Sequence, residues 1–94
     1  MIIKELQSEQ KQYKKWKDRE LSKKSFEVKI GKFLQSIYGW NYNDEYYIGE
    51  WKNKWFIWKL EDEDLIQVGE SLENKEECFK KVFQLINIKH ATIT

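Results

Sequence analysis

The chain has 94 residues, enough for one domain with a thin core, since folding at this size hides only about 60–65% of the surface the unfolded chain exposes. Aromatic residues make up 16% and charged residues 35%, with a formal net charge of +1; rings in that proportion argue against a disordered tail, and the near-neutral total selects neither nucleic acid nor membrane by charge alone. No apolar run approaches the roughly 20 residues of a membrane-spanning helix, the opening MIIKELQSEQ does not read as a signal peptide, and the single Cys78 has no partner for an internal disulfide, so a soluble, cytoplasmic protein is expected.

Charge is unevenly spread. Residues 1–43 hold ten bases and five acids, residues 44–77 four bases and eleven acids, and residues 78–94 three lysines. The chain is electrically bipolar.

Residues 2–22 read as a helix with Ile3, Leu6, Tyr13 and Trp16 on one side and dense charge on the other. In SFEVKIGKFLQSIYGW, Phe26, Val28 and Ile30 alternate as in a strand, and Gly31-Lys32 suits a hairpin turn. At 100° per residue, however, Phe26, Ile30, Phe33, Leu34, Ile37 and Tyr38 share one arc that omits only Val28, with Ser25 and Gly39 as caps, so the phasing predicts a helix over 26–38. The period then becomes two. YYIGEW (46–51) and KWFIWKL (54–60) flank Lys52-Asn53, and LIQVGE (65–70) follows the acidic turn Glu61–Asp64, which predicts a three-stranded antiparallel meander. Asn74 three residues before Glu77 resembles a capping box, and Cys78, Val82, Leu85 and Ile86 form the stripe of a helix over 75–87, leaving NIKHATIT as a loose tail. The expected fold is α+β: two N-terminal helices, a three-stranded antiparallel meander, and a C-terminal helix packed on the sheet, in a single small domain.

These turns set a register. Ile48 opposes Ile57, Tyr47 opposes Trp58, Ile57 opposes Val68 and Trp58 opposes Gln67. One face therefore collects Tyr46, Ile48, Trp55, Ile57, Ile66 and Val68, a core to be covered by the last helix. The other collects Tyr47, Trp51, Lys54, Phe56, Trp58 and Gln67. That second face has two readings: ordinary packing beneath helix 26–38, or a platform on which Tyr47, Trp51 and Trp58 stack on bases while Lys52 and Lys54 reach phosphate.

The stretches YYIGEWKNKWFIWKL and QVGESLENKEECFKKVF make residues 46–83 resemble the βββα DNA-binding domain of plant ethylene-response regulators and the arm-binding domain of tyrosine recombinases. The resemblance implies that the sheet face opposite the helix, with Trp51, Lys52, Lys54, Trp58 and Gln67, enters the major groove. The family's sheets are rich in arginine; this one has none.

Lys14, Lys15, Lys17 and Arg19 on the first helix supply either a footprint for the backbone of DNA or RNA, or a solvated face mixed with Asp18 and Glu20. Glu61, Asp62, Glu63 and Asp64 lack the ligand spacing of a calcium loop and suit instead a basic surface on a larger protein or on another copy of the chain. Cys78 lies on an apolar face where cysteine is inert, and His90 stands alone. No convergent acid, base or nucleophile is legible, so neither catalysis, cofactor nor metal is expected. Two functions follow: a non-catalytic nucleic-acid-associated module, or a protein-binding adaptor or inhibitor of the kind that phages and mobile elements encode, acting through its acidic hairpin or aromatic face.

Overall fold

The computed structural model describes residues 2–93, and side chains over residues 10–87. Helix α1 (Ile2–Glu20) leads into strands β1 (Leu21–Ile30), β2 (Phe33–Tyr42), β3 (Tyr46–Trp51), β4 (Lys54–Glu61) and β5 (Asp64–Gln67), and helix α2 (Lys75–Ile93) closes the chain. The strands form one antiparallel sheet in sequential order. This α+β domain thus has one helix before the sheet and one after it, with five strands where three were expected.

The main correction lies at 26–38. Those residues are no helix but most of the β1–β2 hairpin, with Phe26 opposite Ile37 and Ser25 opposite Tyr38. Gly31 at φ +63 takes the first position of a two-residue turn, a conformation that side chains with a Cβ resist. The helical arc failed because half of it is not buried: Phe33, Leu34 and Tyr38 are 71, 68 and 65% exposed, whereas Val28, the residue outside the arc, is 1% exposed. Ser25 and Gly39 are therefore strand residues and not caps. Glycine in a helix interior would also have cost about 1 kcal/mol relative to alanine.

The remaining boundaries shift less. β3 spans 46–51 as expected, and β3 and β4 pair with Ile48 opposite Ile57 and Tyr47 opposite Trp58. The acidic turn is tighter than a four-residue loop, because Glu61 and Asp64 pair and only Asp62 and Glu63 turn, both at positive φ. The third strand is correspondingly shorter than 65–70. After Gln67, Val68 still donates to the Ile57 carbonyl, the chain bulges at Gly69, and Leu72 rejoins β4 through two backbone bonds with Trp55. α1 stops at Glu20, and α2 runs through the expected loose tail as far as Ile93. The side chains of Ile3, Leu6 and His90 lie outside the described residues. Asn74 caps α2 by accepting from the Glu77 amide at 3.0 Å, and the Glu77 carboxylate accepts in turn from the amide of Glu73, which satisfies two donors near the helix start.

Two cores flank the sheet. On one face both helices bury Tyr46, Ile48 and Ile57 beneath Trp16, Cys78, Phe79, Val82 and Ile86. Tyr13 ties the helices together by donating to Glu76 at 2.8 Å, and Lys17 pairs with the same carboxylate at 3.2 Å. Ile66, expected in this core, is half exposed, as α2 packs chiefly on β3 and β4. On the other face Phe26, Val28 and Ile37 of the hairpin bury Tyr47 and Trp58. The hairpin reaches across because β2 pairs with β3 only from Trp40 to Tyr42 and then crosses over. Two glycines permit the crossing: a Cβ on Gly39 would overlap the carbonyl oxygen of Ile48, and one on Gly49 would lie 2.5 Å from Cγ2 of Ile37.

Candidate functional site

The crossing decides which residues remain available. Tyr47 and Trp58 are core residues: Phe26 meets Tyr47 at 5.0 Å between ring centroids and Trp58 edge-on at 5.7 Å, and Phe56 stacks on Trp58 at 5.5 Å. The Tyr47 hydroxyl donates to Asp44, which also pairs with Lys24 at 3.0 Å; burial is the chief reason that the phenol's pKa is raised. Rings held in this way offer no face to a base. The aromatic face is covered, as the packing alternative required, but by a hairpin instead of a helix.

The other expected contact residues scatter. Trp51 is half-buried with the Lys52 ammonium 4.5 Å above its ring, Lys54 is exposed opposite Trp51, and Gln67 is exposed and donates to the Gly69 carbonyl at 2.9 Å. Lys14, Lys15 and Arg19 are exposed on α1, together with Lys11 and Asp18, while Lys17 is taken up by Glu76. The strand-strand-strand-helix order of residues 46–83 is present as β3, β4, β5 and α2. On the sheet face opposite the helix, which would enter the major groove in the resemblance drawn above, Tyr47 and Trp58 lie under the β1–β2 hairpin, while Lys52, Lys54 and Gln67 stay exposed around it.

The crossing also creates a site that sequence reasoning missed. Because the hairpin folds over the sheet, the distal end of β1 comes near β5, and the two outermost strands of the sheet flank a cleft of about 590 Å³ lined by Glu27, Val28, Lys29, Gly31 and Leu34 on one side and Glu63, Asp64, Leu65, Ile66 and Gln67 on the other. The strands do not pair with each other, so each presents the backbone donors and acceptors that a sheet edge leaves open. Three carboxylates and one ammonium surround exposed Leu34 and Ile66 and half-buried Leu65. Of these residues Glu63 and Asp64 were foreseen as members of the acidic turn, and Gln67 only as a contact to nucleic acid. The overlooked signal was the misfit of Val28 to the helical arc, since a strand through Phe26, Val28 and Ile30 places Glu27 and Lys29 on the opposite face.

Asp62 and Glu63 adopt φ of 47 and 76°, where asparagine and glycine are the favoured residues; a residue with a Cβ there costs about 1 kcal/mol or more. Among the described residues no three His, Cys, Asp or Glu side chains converge as a metal would need, and none of the helices is long and apolar enough to cross a membrane. Cys78 is fully buried, and desolvation pushes its thiol up to about 12. Comparison with protein-family models, with curated proteins and with solved structures finds no match to this chain.

Proposed function

We propose that this protein is a non-catalytic binding module that takes an extended segment of a larger protein into the cleft between β1 and β5. The observation that carries this reading is the junction of two open strand edges with Glu27, Glu63 and Asp64 around Leu34, Leu65 and Ile66. Open edges bind extended backbone by adding a strand, and the side chains beside them select the sequence. Here the selected sequence alternates basic with apolar residues. The strained, acidic turn supports the same reading, because backbone strain held at a surface loop tends to mark a functional position. A reducing compartment such as the cytoplasm suits the lone, buried thiol.

The test is a titration of the labelled protein with two peptides, one alternating lysine with valine and one alternating glutamate with valine, followed by amide chemical shifts. The lysine peptide is expected to move the amides of residues 27–29 and 64–67 and to bind at least tenfold more weakly to a Glu63→Lys, Asp64→Lys variant. Equal binding of both peptides, or shifts confined to other residues, would sink the proposal.

A second reading rests on the exposed Lys11, Lys14, Lys15 and Arg19 of α1, which suit the phosphate backbone of DNA or RNA. Duplex DNA that shifts α1 amides at low salt and is released as salt rises would favour it, because such binding is driven by counterion release.

A further inference from the structure

The hairpin has a second open edge, on the side away from the cleft. In a two-residue hairpin the residues flanking the turn exchange both backbone bonds, here Ile30 and Phe33, and alternate pairs repeat the exchange. Gln35 and Ile37 thus also direct their N–H and C=O at β1, while Leu34, Ser36 and Tyr38 direct theirs away. β3 pairs with β2 only at Trp40, Asn41 and Tyr42, so nothing in the sheet answers residues 34–38 on that side. The side chains are equally unprotected: Phe33, Leu34 and Tyr38 are three of the five large hydrophobic residues exposed among the described residues. The stretch FLQSIYG contains no charge and no proline, whereas β1 carries Lys23, Lys24, Glu27 and Lys29. Charged side chains are the usual protection of a strand edge. The charges of β1 restrict its edge to a segment of complementary charge, whereas the distal half of β2 carries no charge that would turn away a second copy.

We propose that residues 34–38 of β2 pair antiparallel with the same residues of a second copy, across a two-fold axis at Ser36. In this register Ser36 faces Ser36 of the second copy and Leu34 faces its Tyr38, so that the backbone groups left open at positions 34, 36 and 38 are answered by the same groups of the other chain. Leu34 and Tyr38 meet as cross-strand pairs on one face. A second copy is the occupant because the segment is self-complementary and uncharged, so the two-fold brings no like charges together. Each copy also arrives with the segment already extended by its pairing with β1, so little order has to be imposed on association. The joined hairpins form a four-stranded β1-β2-β2-β1 ribbon. Leu34 also lines the β1–β5 cleft, whereas Ser36 and Tyr38 do not, so a change at Ser36 alters the pairing without altering a residue of the cleft.

The test is sedimentation of the full chain over a range of concentrations, alongside Ser36→Lys, which places two ammonium groups against each other at the axis. Ser36 is exposed and belongs to neither core, so the variant keeps its fold, which circular dichroism verifies. A wild-type dimer whose dissociation constant rises at least tenfold in Ser36→Lys is the expected result. Mild oxidation gives a second measurement. Ser36→Cys is expected to form a disulfide-linked dimer, because residues directly opposed at hydrogen-bonded positions stand about 5.5 Å apart between Cα atoms, within disulfide range. Ser25→Cys, exposed on β1, is expected to remain monomeric, and native Cys78 is too deeply buried to compete. A wild type that stays monomeric at all concentrations, a dimer indifferent to Ser36→Lys, or Ser25→Cys linking as fast as Ser36→Cys would each overturn the proposal.

Discussion

The helix-side and hairpin-side cores share β3 and β4 but close over them by different means. Two helices bring rings and aliphatic side chains onto Ile48 and Ile57, and the polar link from Tyr13 and Lys17 to Glu76 joins the helices at the edge of that core. The other face is closed by the sheet's own first two strands, bent back over it, with five buried residues and a tight crossing at Gly39 and Gly49. A helical cover can adjust by sliding; a strand bent over its own sheet depends on the backbone at the bend. The hairpin side therefore concentrates its sensitivity in a few positions, and its bend produces both the cleft beside β5 and the open edge of β2.

The largest effect is expected at the crossing. Gly39→Ala places a methyl on the Ile48 carbonyl, a backbone atom with little room to retreat, and should cost about 3 kcal/mol or more. Gly49→Ala meets Ile37 and Phe26 side chains, which can shift, so about 1–3 kcal/mol is expected. Urea denaturation measures both, and a wild-type midpoint for Gly39→Ala would break the account of how the hairpin crosses.

Ile57 and Trp58 are neighbours in sequence but face opposite cores. Trp58, 2% exposed against Phe26, should lose about 3–5 kcal/mol on truncation to alanine. Ile57→Val, on the helix side, should lose only about 0.5–1.5 kcal/mol. If the hairpin side opens first, a thiol reagent at neutral pH and moderate urea should find Cys78 still protected, by burial and by its raised pKa, when the tryptophan emission has already shifted to the red. Simultaneous labelling and red shift would instead show one cooperative unit.

Smaller effects are expected at the periphery. Glu63→Gly relieves the positive-φ glutamate and should raise stability by about 1 kcal/mol while weakening capture of the lysine–valine peptide. A gain in stability with unchanged binding would separate the turn's strain from the cleft. Smallest is the acid limb. The Tyr13 hydrogen bond, followed by Lys17, holds the Glu76 carboxyl below its ordinary value of 4.5. A depressed folded pKa stabilises the fold above the unfolded value, and that contribution is lost as pH falls through the folded one. Glu76→Gln should flatten stability in that window by less than about 1 kcal/mol, since the side chain is half exposed and screened. A wild-type acid limb in that variant would exclude the Tyr13–Glu76–Lys17 link as its source.

The second half of the chain was legible because its signals are local. A two-residue turn at Lys52-Asn53, the acidic turn and strict alternation fix the β3–β4–β5 register, and the Asn74–Glu77 cap starts α2. The first half was not, because residues 26–38 satisfy two periods at once and the helical one matches more apolar positions. That count assumed that every large apolar residue is buried; Phe33, Leu34 and Tyr38 are not.

Spacing between near neighbours was enough to read a mix of helices and antiparallel sheet, the pairing of β3, β4 and β5, the start of the last helix and the separation of an acidic from a basic region, but not the number of strands or of N-terminal helices. Long-range packing places Tyr47 and Trp58 in the interior, brings Glu27 and Leu34 to Glu63 and Asp64 around one cleft, and leaves an uncharged strand edge open. Those outcomes depend on the path of one hairpin across a sheet, which is set by how closely two glycine backbones pass and by contacts between residues far apart in the chain, and no local pattern encodes it.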